Sequence, residues 1–73
     1  EFSFGRGKDV SYTLNHKTVS RNHFVVSFDN GSYSIQDLGS SNGTLVNGVK
    51  VSQSKLNHGD VIGVGEILLT FHI

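Results

Sequence analysis

Residues 18–35 read TVSRNHFVVSFDNGSYSI, a short polar segment followed by two apolar runs that flank Asn30-Gly31. In the first run, large apolar residues take every second position, at Phe24, Val26 and Phe28. A period of two is expected of a β-strand that buries one face, and an Asn-Gly pair tolerates the positive φ angles of a type I′ turn. The stretch therefore predicts a β-hairpin with a polar loop in front of it.

The same period of two recurs on both sides of this hairpin, and no segment of useful length shows the 3.6-residue period of a helix. Phe2 and Phe4 share one face of a first strand, and a second hairpin is predicted around Asn47-Gly48. The alternation ends with residues 67–73, whereas Leu56 is interpreted as a lone apolar anchor before a turn. Several short strands without a helix predict an all-β protein, an antiparallel β-sandwich of two sheets.

The composition limits the classes of function. Seventy-three residues allow one domain, residues 1–73, with a single core. Six basic and six acidic residues give a formal net charge of zero, which argues against a nucleic-acid binder. No apolar run approaches the roughly 20 residues that span a membrane, so a membrane partner is not expected. Cysteine is absent, which excludes a disulfide framework and fits a reducing compartment.

Catalysis and cofactor binding are also disfavoured. Ser20, His23 and either Asp37 or Asp60 form a catalytic triad only on paper, since no strand–turn–helix nucleophile elbow surrounds the serine. The Gly5-Arg6-Gly7 fragment lacks the third glycine and the helix of a dinucleotide site, and the four histidines share no metal-ligand spacing. We therefore expect no catalytic residues, no cofactor and no metal, and a protein that is not an enzyme.

Three polar segments contain groups that suit an oxyanion: Gly5-Arg6, Thr18–Phe24 and Ser40–Thr44. They supply a guanidinium, a hydroxyl and a side-chain amide, a common combination for holding a phosphate. Arg6 is interpreted either as a solvated arginine at a strand end or as a phosphate contact. Asn42 lacks a clean strand on both sides, unlike the hairpin asparagines, so its side chain is available for a ligand.

His23 stands beside the apolar strand that begins at Phe24. The favoured interpretation is a partly buried imidazole that hydrogen-bonds neighbouring backbone and fixes the loop before it. A direct contact with a ligand is the less favoured alternative. His23 is therefore expected to support a site rather than to bind at it.

Five motifs, taken in order, resemble the forkhead-associated (FHA) domain family. They are Gly5-Arg6, Ser20–His23, Asp37–Thr44, Asn47-Gly48 and Leu56–Ile62. Each motif is weak alone, but together they run from about Phe4 to Phe71 at compatible spacing. The sequence therefore resembles an FHA domain over almost its whole length.

The resemblance implies a β-sandwich whose loops at one end bind phosphothreonine in a partner protein or peptide. The residues implied to bind the phosphate are Arg6, Ser20 and Arg21. The residues implied to contact the peptide are Ser41, Asn42, Lys17 and Thr18. The residues implied to support the site are Gly5, His23, Gly43 and Thr44. Asn42 is the residue expected to fix the peptide backbone.

The resemblance breaks down at the start of the chain. The family has a strand before the one that ends in Gly-Arg, and only Glu1–Phe4 precede that motif here. We therefore expect a domain excised from a longer protein and lacking its usual first strand. An uncovered edge strand invites pairing with another molecule, so self-association through that edge is expected.

The resemblance also implies a setting in intracellular signalling. Parent proteins would be kinase-associated, or checkpoint, DNA damage response or transcription factors, and the location would be nuclear in a eukaryote and cytoplasmic in a bacterium. The alternative is a phosphate-independent assembly sandwich that uses an exposed sheet edge or face. The joint presence of Arg6, Ser20 and Asn42 weighs against this alternative.

Overall fold

The computed structural model describes residues 1–73 as nine strands without a helix. The strands are β1 (Phe2–Gly5), β2 (Tyr12–Thr13), β3 (Phe24–Asp29), β4 (Ser32–Asp37), β5 (Thr44–Val46), β6 (Val49–Val51), β7 (Gln53–Leu56), β8 (Val61–Val64) and β9 (Ile67–Thr70). The chain contains no helix with the length and apolar character needed to cross a membrane.

The nine strands form two sheets. The first has the order β2-β1-β3-β4-β7 and the second the order β6-β5-β8-β9. All pairs are antiparallel except β1 and β2, which run parallel with Phe4 opposite Tyr12. Buried side chains of both sheets, among them Phe24 and Val64, belong to one core. The predicted all-β sandwich is confirmed, and the parallel pair is its one departure from a purely antiparallel arrangement.

Both predicted Asn-Gly hairpins are present. The φ angles are 50° at Asn30 and 78° at Gly31, and 52° at Asn47 and 83° at Gly48. These left-handed angles are those of a type I′ turn, which asparagine and glycine adopt at little cost. The turns set the register of β3 with β4 and of β5 with β6. They thereby also fix the opposite ends of these strands, where the site lies.

The core follows the predicted alternation in most places. Phe24, Ile35 and Val64 are fully buried or nearly so. Phe28 shares the face of Phe24 but is 59% exposed. It lies one residue from the hairpin turn, and its ring packs against Tyr33 with 4.6 Å between the ring centroids. At this end of the hairpin the core no longer covers that face. The alternation of apolar residues in the sequence therefore continues beyond the part of the strand that is buried.

The interpretation of Leu56 as a lone apolar anchor before a turn agrees with the structure, but strand β7, which ends at Leu56, was not predicted. This strand pairs with β4 and places Leu56 opposite Tyr33. Leu56 is the only buried residue of the strand. The three residues before it, Gln53–Lys55, contain no apolar side chain, so the sequence carries no alternation to indicate a strand.

The sheet edges lie at β2 and β7 in the first sheet and at β6 and β9 in the second. The short strand β2 covers the second half of β1, with Gly5 opposite Thr13. The first half is covered by Ser11, since Ser3 N donates to Ser11 Oγ at 3.0 Å and Ser11 N donates to Ser3 Oγ at 2.9 Å. Strand β1 is therefore not a bare edge, and the expectation of an uncovered edge at this strand was wrong.

Candidate functional site

The end of strand β1 is held beside the segment 20–23 by backbone hydrogen bonds. The Arg6 N–H donates to Ser20 O at 2.9 Å, and the Gly7 N–H donates to Arg21 O at 3.1 Å. A Cβ atom on Gly5 would collide with the carbonyl oxygen of Arg21. The close approach therefore requires glycine at position 5, where the sequence predicted a supporting role. It brings Arg6 and Ser20 next to each other.

The Arg6 side chain is exposed, but its direction is fixed. Its Nε–H donates to the carbonyl oxygen of Val19 at 2.9 Å. The two terminal nitrogens keep four N–H donors in the planar fork that matches two oxygens of a phosphate. Arg6 is therefore anchored at one nitrogen and open at the other two.

Ser20 has its hydroxyl oxygen fixed from the neighbouring loop. The Ser41 N–H donates to Ser20 Oγ at 3.0 Å. A hydroxyl that accepts one hydrogen bond still has its own proton to donate. The contact also joins Ser41 to the phosphate-binding candidates, so the structure brings Arg6, Ser20 and Ser41 together.

His23 connects two of the predicted loops from inside the protein. Its side chain is fully buried, deeper than the partial burial that was expected. The Ser20 N–H donates to His23 Nδ1 at 3.0 Å, and Nε2 pairs with Gly43 O at 2.8 Å. Since Nδ1 accepts, Nε2 carries the proton and donates to the carbonyl. His23 therefore fixes the segments around Ser20 and Gly43 relative to each other.

Gly43 and Thr44 hold the far side of the same loop. Gly43 has a φ of 81°, and a Cβ atom there would lie 2.6 Å from Cε of Lys50. Thr44 is fully buried, and its hydroxyl donates to Asp37 Oδ1 at 2.7 Å. Both residues are buried, in keeping with a supporting role.

Asp37 supports the site loop, a role that was not predicted from the sequence. Its carboxylate accepts hydrogen bonds from Gly39 N at 3.0 Å, Ser40 N at 3.1 Å, the Ser40 hydroxyl and the Thr44 hydroxyl. Burial raises the pKa of Asp37, but these hydrogen bonds outweigh it and hold the pKa below its usual 3.8. The local signal was the Asp-x-Gly-Ser pattern, which is typical of an Asx turn.

Asn42 lies on the surface of this loop, and only the nitrogen of its side-chain amide has a hydrogen-bond partner in the protein. Its Nδ2 donates to Thr18 O at 2.7 Å, and Oδ1 has no partner within the protein. The side chain is exposed. An acceptor that is held in place and left open suits a peptide N–H.

Thr18, which was predicted to contact the peptide, uses its side-chain hydroxyl for hydrogen bonds within the protein. Its hydroxyl donates to His16 Nδ1 at 2.7 Å and accepts from Glu66 N at 2.9 Å. A Cβ atom on Gly65 would collide with Thr18, so the turn between β8 and β9 lies directly against it. The hydroxyl is therefore occupied within the fold, and the residue as a whole is half-buried. Lys17 is exposed beside it.

Arg21, the third predicted phosphate residue, lines an open polar groove of about 550 Å3 next to Arg6. Its backbone is tied to Gly7, whereas its side chain is exposed. The predicted residues thus fall into two groups. Exposed polar groups surround Arg6, and buried residues hold the loops beneath them.

The family model for the FHA domain matches residues 2–65 of this chain. The chain belongs to the FHA family. The resemblance seen in the five sequence motifs is therefore confirmed, and an FHA domain is a binding module. The roles of the individual site residues in binding remain predictions that rest on the geometry above.

Among curated proteins, the human and mouse "Angiogenic factor with G patch and FHA domains 1" are 42% identical to this chain over 82 residues. The match covers 97% of this chain and 12% of each of those proteins. The FHA domain-containing protein FhaA of Mycobacterium tuberculosis is 40% identical, over 93% of this chain and 13% of FhaA. The chain thus spans about an eighth of the length of these relatives.

Solved structures show the same fold. One FHA domain, from a structural and functional analysis of phosphothreonine-dependent FHA domain interactions, superposes with a TM-score of 0.95 at 35% identity. The match covers 99% of this chain and 75% of that one. Mycobacterium tuberculosis EmbR in complex with a low affinity phosphopeptide superposes with a TM-score of 0.94 at 37% identity, over 99% of this chain and 19% of EmbR.

Proposed function

We propose that this domain binds phosphothreonine in a partner protein through the end of the sandwich that carries Arg6. The observation that carries the proposal is the pair formed by Arg6 and Ser20. One side chain is anchored through Nε with its fork open, and the other is fixed through its oxygen with its proton free. The similarity to FHA domains solved in studies of phosphothreonine and phosphopeptide binding supports it.

The phosphate supplies what these two side chains lack. It carries about −1.5 to −2 charges at neutral pH and offers three acceptor oxygens. Arg6 meets two oxygens in fork geometry, and Ser20 donates to another. Each charge-assisted hydrogen bond contributes about 1.5–3 kcal/mol. Arg21, at the border of the same groove, adds positive charge.

The peptide around the phosphothreonine lies across the loop that contains Asn42. The free Oδ1 of Asn42 accepts an N–H of the peptide backbone, and the exposed Ser41 borders the same path. Thr18 and Lys17 flank it. A niche for the threonine methyl is worth about 0.8 kcal/mol by transfer, so preference over phosphoserine is modest unless the fit is close.

The domain acts by binding alone and performs no reaction of its own. Its expected setting is phosphorylation-dependent signalling inside the cell, in a longer protein that is linked to a kinase or to a checkpoint or DNA damage response. A nuclear location in a eukaryote, or a cytoplasmic one in a bacterium, belongs to the same proposal. Nucleic acid and membranes are not proposed as partners.

Self-association is a second candidate, favoured by one apolar groove. This groove of about 400 Å3 lies between the sheets, and its lining includes Phe2, Phe4, Tyr12, Leu69 and Phe71. Phe2 and Tyr12 are 49% and 52% exposed. Sedimentation equilibrium of the domain at increasing concentration tests this candidate. A single monomeric mass up to the millimolar range would remove it.

The main proposal is tested by fluorescence anisotropy with one peptide in phosphothreonine, phosphoserine and unphosphorylated forms. We expect binding to the phosphothreonine form, weaker binding to phosphoserine and none without phosphate. Arg6→Ala should weaken binding at least about tenfold, because it removes charge-assisted hydrogen bonds. Lys55→Ala, a cation on β7 away from the site, is the matched control. Phosphate-independent binding, or an equal loss in both variants, would reject the proposal.

A further inference from the structure

The groove beside Arg6 is larger and more positive than one phosphate requires. Six residues line its volume of about 550 Å3, and none of them is apolar: Arg6, Gly7, Lys8, Asp9, Arg21 and Asn22. Three of them are cations and one is a carboxylate. In a chain of zero net charge, this is a concentrated positive surface.

Two of the three cations have no task in the fold. Arg6 donates its Nε–H to Val19 O, whereas the side chains of Lys8 and Arg21 have no hydrogen-bond partner within the protein. Arg6 and Ser20 make the proposed hydrogen bonds to the phosphate, and Arg21 contributes only its charge there. Lys8 and Arg21 are therefore free to meet a second negative group.

The groove extends from Arg6 in a definite direction. Two backbone hydrogen bonds align Arg6 with Ser20 and Gly7 with Arg21, so the two segments run side by side away from the phosphate site. A Cβ atom on Gly7 would lie 3.5 Å from Cβ of Arg21, which shows how closely they approach. Ser41, by contrast, contacts Ser20 from the other loop. The free cations thus lie on one side of Arg6.

We propose that Lys8 and Arg21 bind a second anionic group of the same peptide, on the side of the phosphothreonine that faces away from Ser41. The group is a carboxylate or a second phosphate, since both offer oxygens to a lysine and an arginine. The proposal rests on phosphothreonine binding at Arg6. It adds that the preferred ligand is acidic on one side only.

A glutamate scan of one phosphothreonine peptide tests this proposal. The parent peptide has alanine at the three positions on either side of the phosphothreonine, and each position in turn is replaced by glutamate. We expect a gain in affinity of about two- to fivefold at one or two positions on a single side, the size of an exposed ion pair. A second phosphothreonine at the best position should give about tenfold or more, because a phosphate carries more charge.

Variants of the groove assign the gain to its residues. In Lys8→Gln and in Arg21→Gln, the ratio of the two affinities, glutamate peptide over alanine peptide, should fall towards one. Asp9→Asn should raise that ratio, because it removes the one like charge in the groove. Lys55→Gln removes a cation of the same size from β7 and should leave the ratio unchanged. Raising the salt concentration should reduce the ratio, since exposed charges are screened.

The outcomes separate the two proposals. If the alanine-flanked phosphopeptide does not bind, or binds equally to Arg6→Ala, the proposed function itself fails. If that peptide binds through Arg6 but glutamate and a second phosphate give no gain, or an equal gain on both sides, the anionic subsite is overturned. A gain that survives both Lys8→Gln and Arg21→Gln overturns it as well.

Discussion

The two ends of the sandwich are built with the same kinds of residue but use them differently. At the far end, both polar atoms of the Asn47 side-chain amide have partners in the protein. Nδ2 donates to Asp60 Oδ1 at 3.0 Å, and Oδ1 accepts from Val61 N at 3.0 Å. At the Arg6 end, Asn42 uses only Nδ2 and leaves Oδ1 open. The comparison teaches that a site in this fold is marked by polar groups that are fixed in place and still unsatisfied.

The carboxylates at the two ends repeat the contrast in a different form. Asp60 accepts from Asn57 N and Asn47 Nδ2, and these two bonds, in that order of strength, lower its pKa. Asp37 is held by Ser40, Thr44 and Gly39 in the loop that leads to the site. Both carboxylates close a loop, and the loop of Asp37 is the one that leads to Asn42 and its open Oδ1.

The largest expected effect comes from removing the buried link between the site loops. His23→Ala should lower the free energy of unfolding by about 2–4 kcal/mol, because it leaves a cavity and two unpaired backbone groups. His72→Ala, at an exposed position, should change it by less than about 0.5 kcal/mol. Urea denaturation measures both, and an equal small change in the two variants would show that His23 does not hold the loops.

A pair of asparagine variants tests the contrast between the two ends directly. Asn42→Ala should weaken phosphopeptide binding about threefold to tenfold, the value of one hydrogen bond, and lower the free energy of unfolding by only about 0.5–1 kcal/mol through the lost bond to Thr18 O. Asn47→Ala should instead act mainly on stability and lower the free energy of unfolding by about 1–2 kcal/mol. It removes two hydrogen bonds and puts alanine at a left-handed φ of 52°. Fluorescence anisotropy measures binding and urea denaturation measures stability for both variants. The contrast between the two ends would be rejected if Asn47→Ala weakened binding as much as Asn42→Ala.

The smallest effect concerns pH. Because the pKa values of Asp37 and Asp60 are lowered in the folded state, their stabilisation is present above the usual 3.8 and is lost as the pH falls through the folded values. In Asp37→Asn, the free energy of unfolding should therefore decrease less between about pH 5 and pH 2 than in the parent protein. The difference should be less than about 1 kcal/mol, because solvent screens the carboxylate. Glu66→Gln is the control, and urea denaturation along a pH series is the measurement. An unchanged slope in Asp37→Asn would contradict the assignment.

Much of the fold could be predicted because its signals are local. Asn30-Gly31 and Asn47-Gly48 specify left-handed turns by themselves, and the alternation around them specifies strands. Strand β7 could not be predicted, because Gln53–Lys55 has no apolar pattern and its pairing partner β4 is distant in sequence. Phe28 was misjudged because alternation indicates a face but not how far the core extends under it.

The predicted supports Gly5, His23, Gly43 and Thr44 lie where the site loops meet, whereas two further supporting contacts were missed. The chemistry of Arg6, Ser20 and Asn42 is visible in the residue types. The hydrogen bond from Glu66 to Thr18 joins positions 48 residues apart, and no local pattern indicates it. The clamp at Asp37 was within reach, since a carboxylate followed by Gly39 and Ser40 is a known turn pattern.

The backbone bonds that tie Arg6 and Gly7 to Ser20 and Arg21 have a kinetic meaning. A ligand meets a site whose segments are already ordered, so association carries little of the entropy cost of folding a loop. Encounter should then proceed at about 10⁵–10⁷ M⁻¹s⁻¹, as for other preformed sites. Ligands that differ in the residues around the phosphate would be distinguished mainly by how long they stay. For a signalling domain, residence time would then carry the specificity.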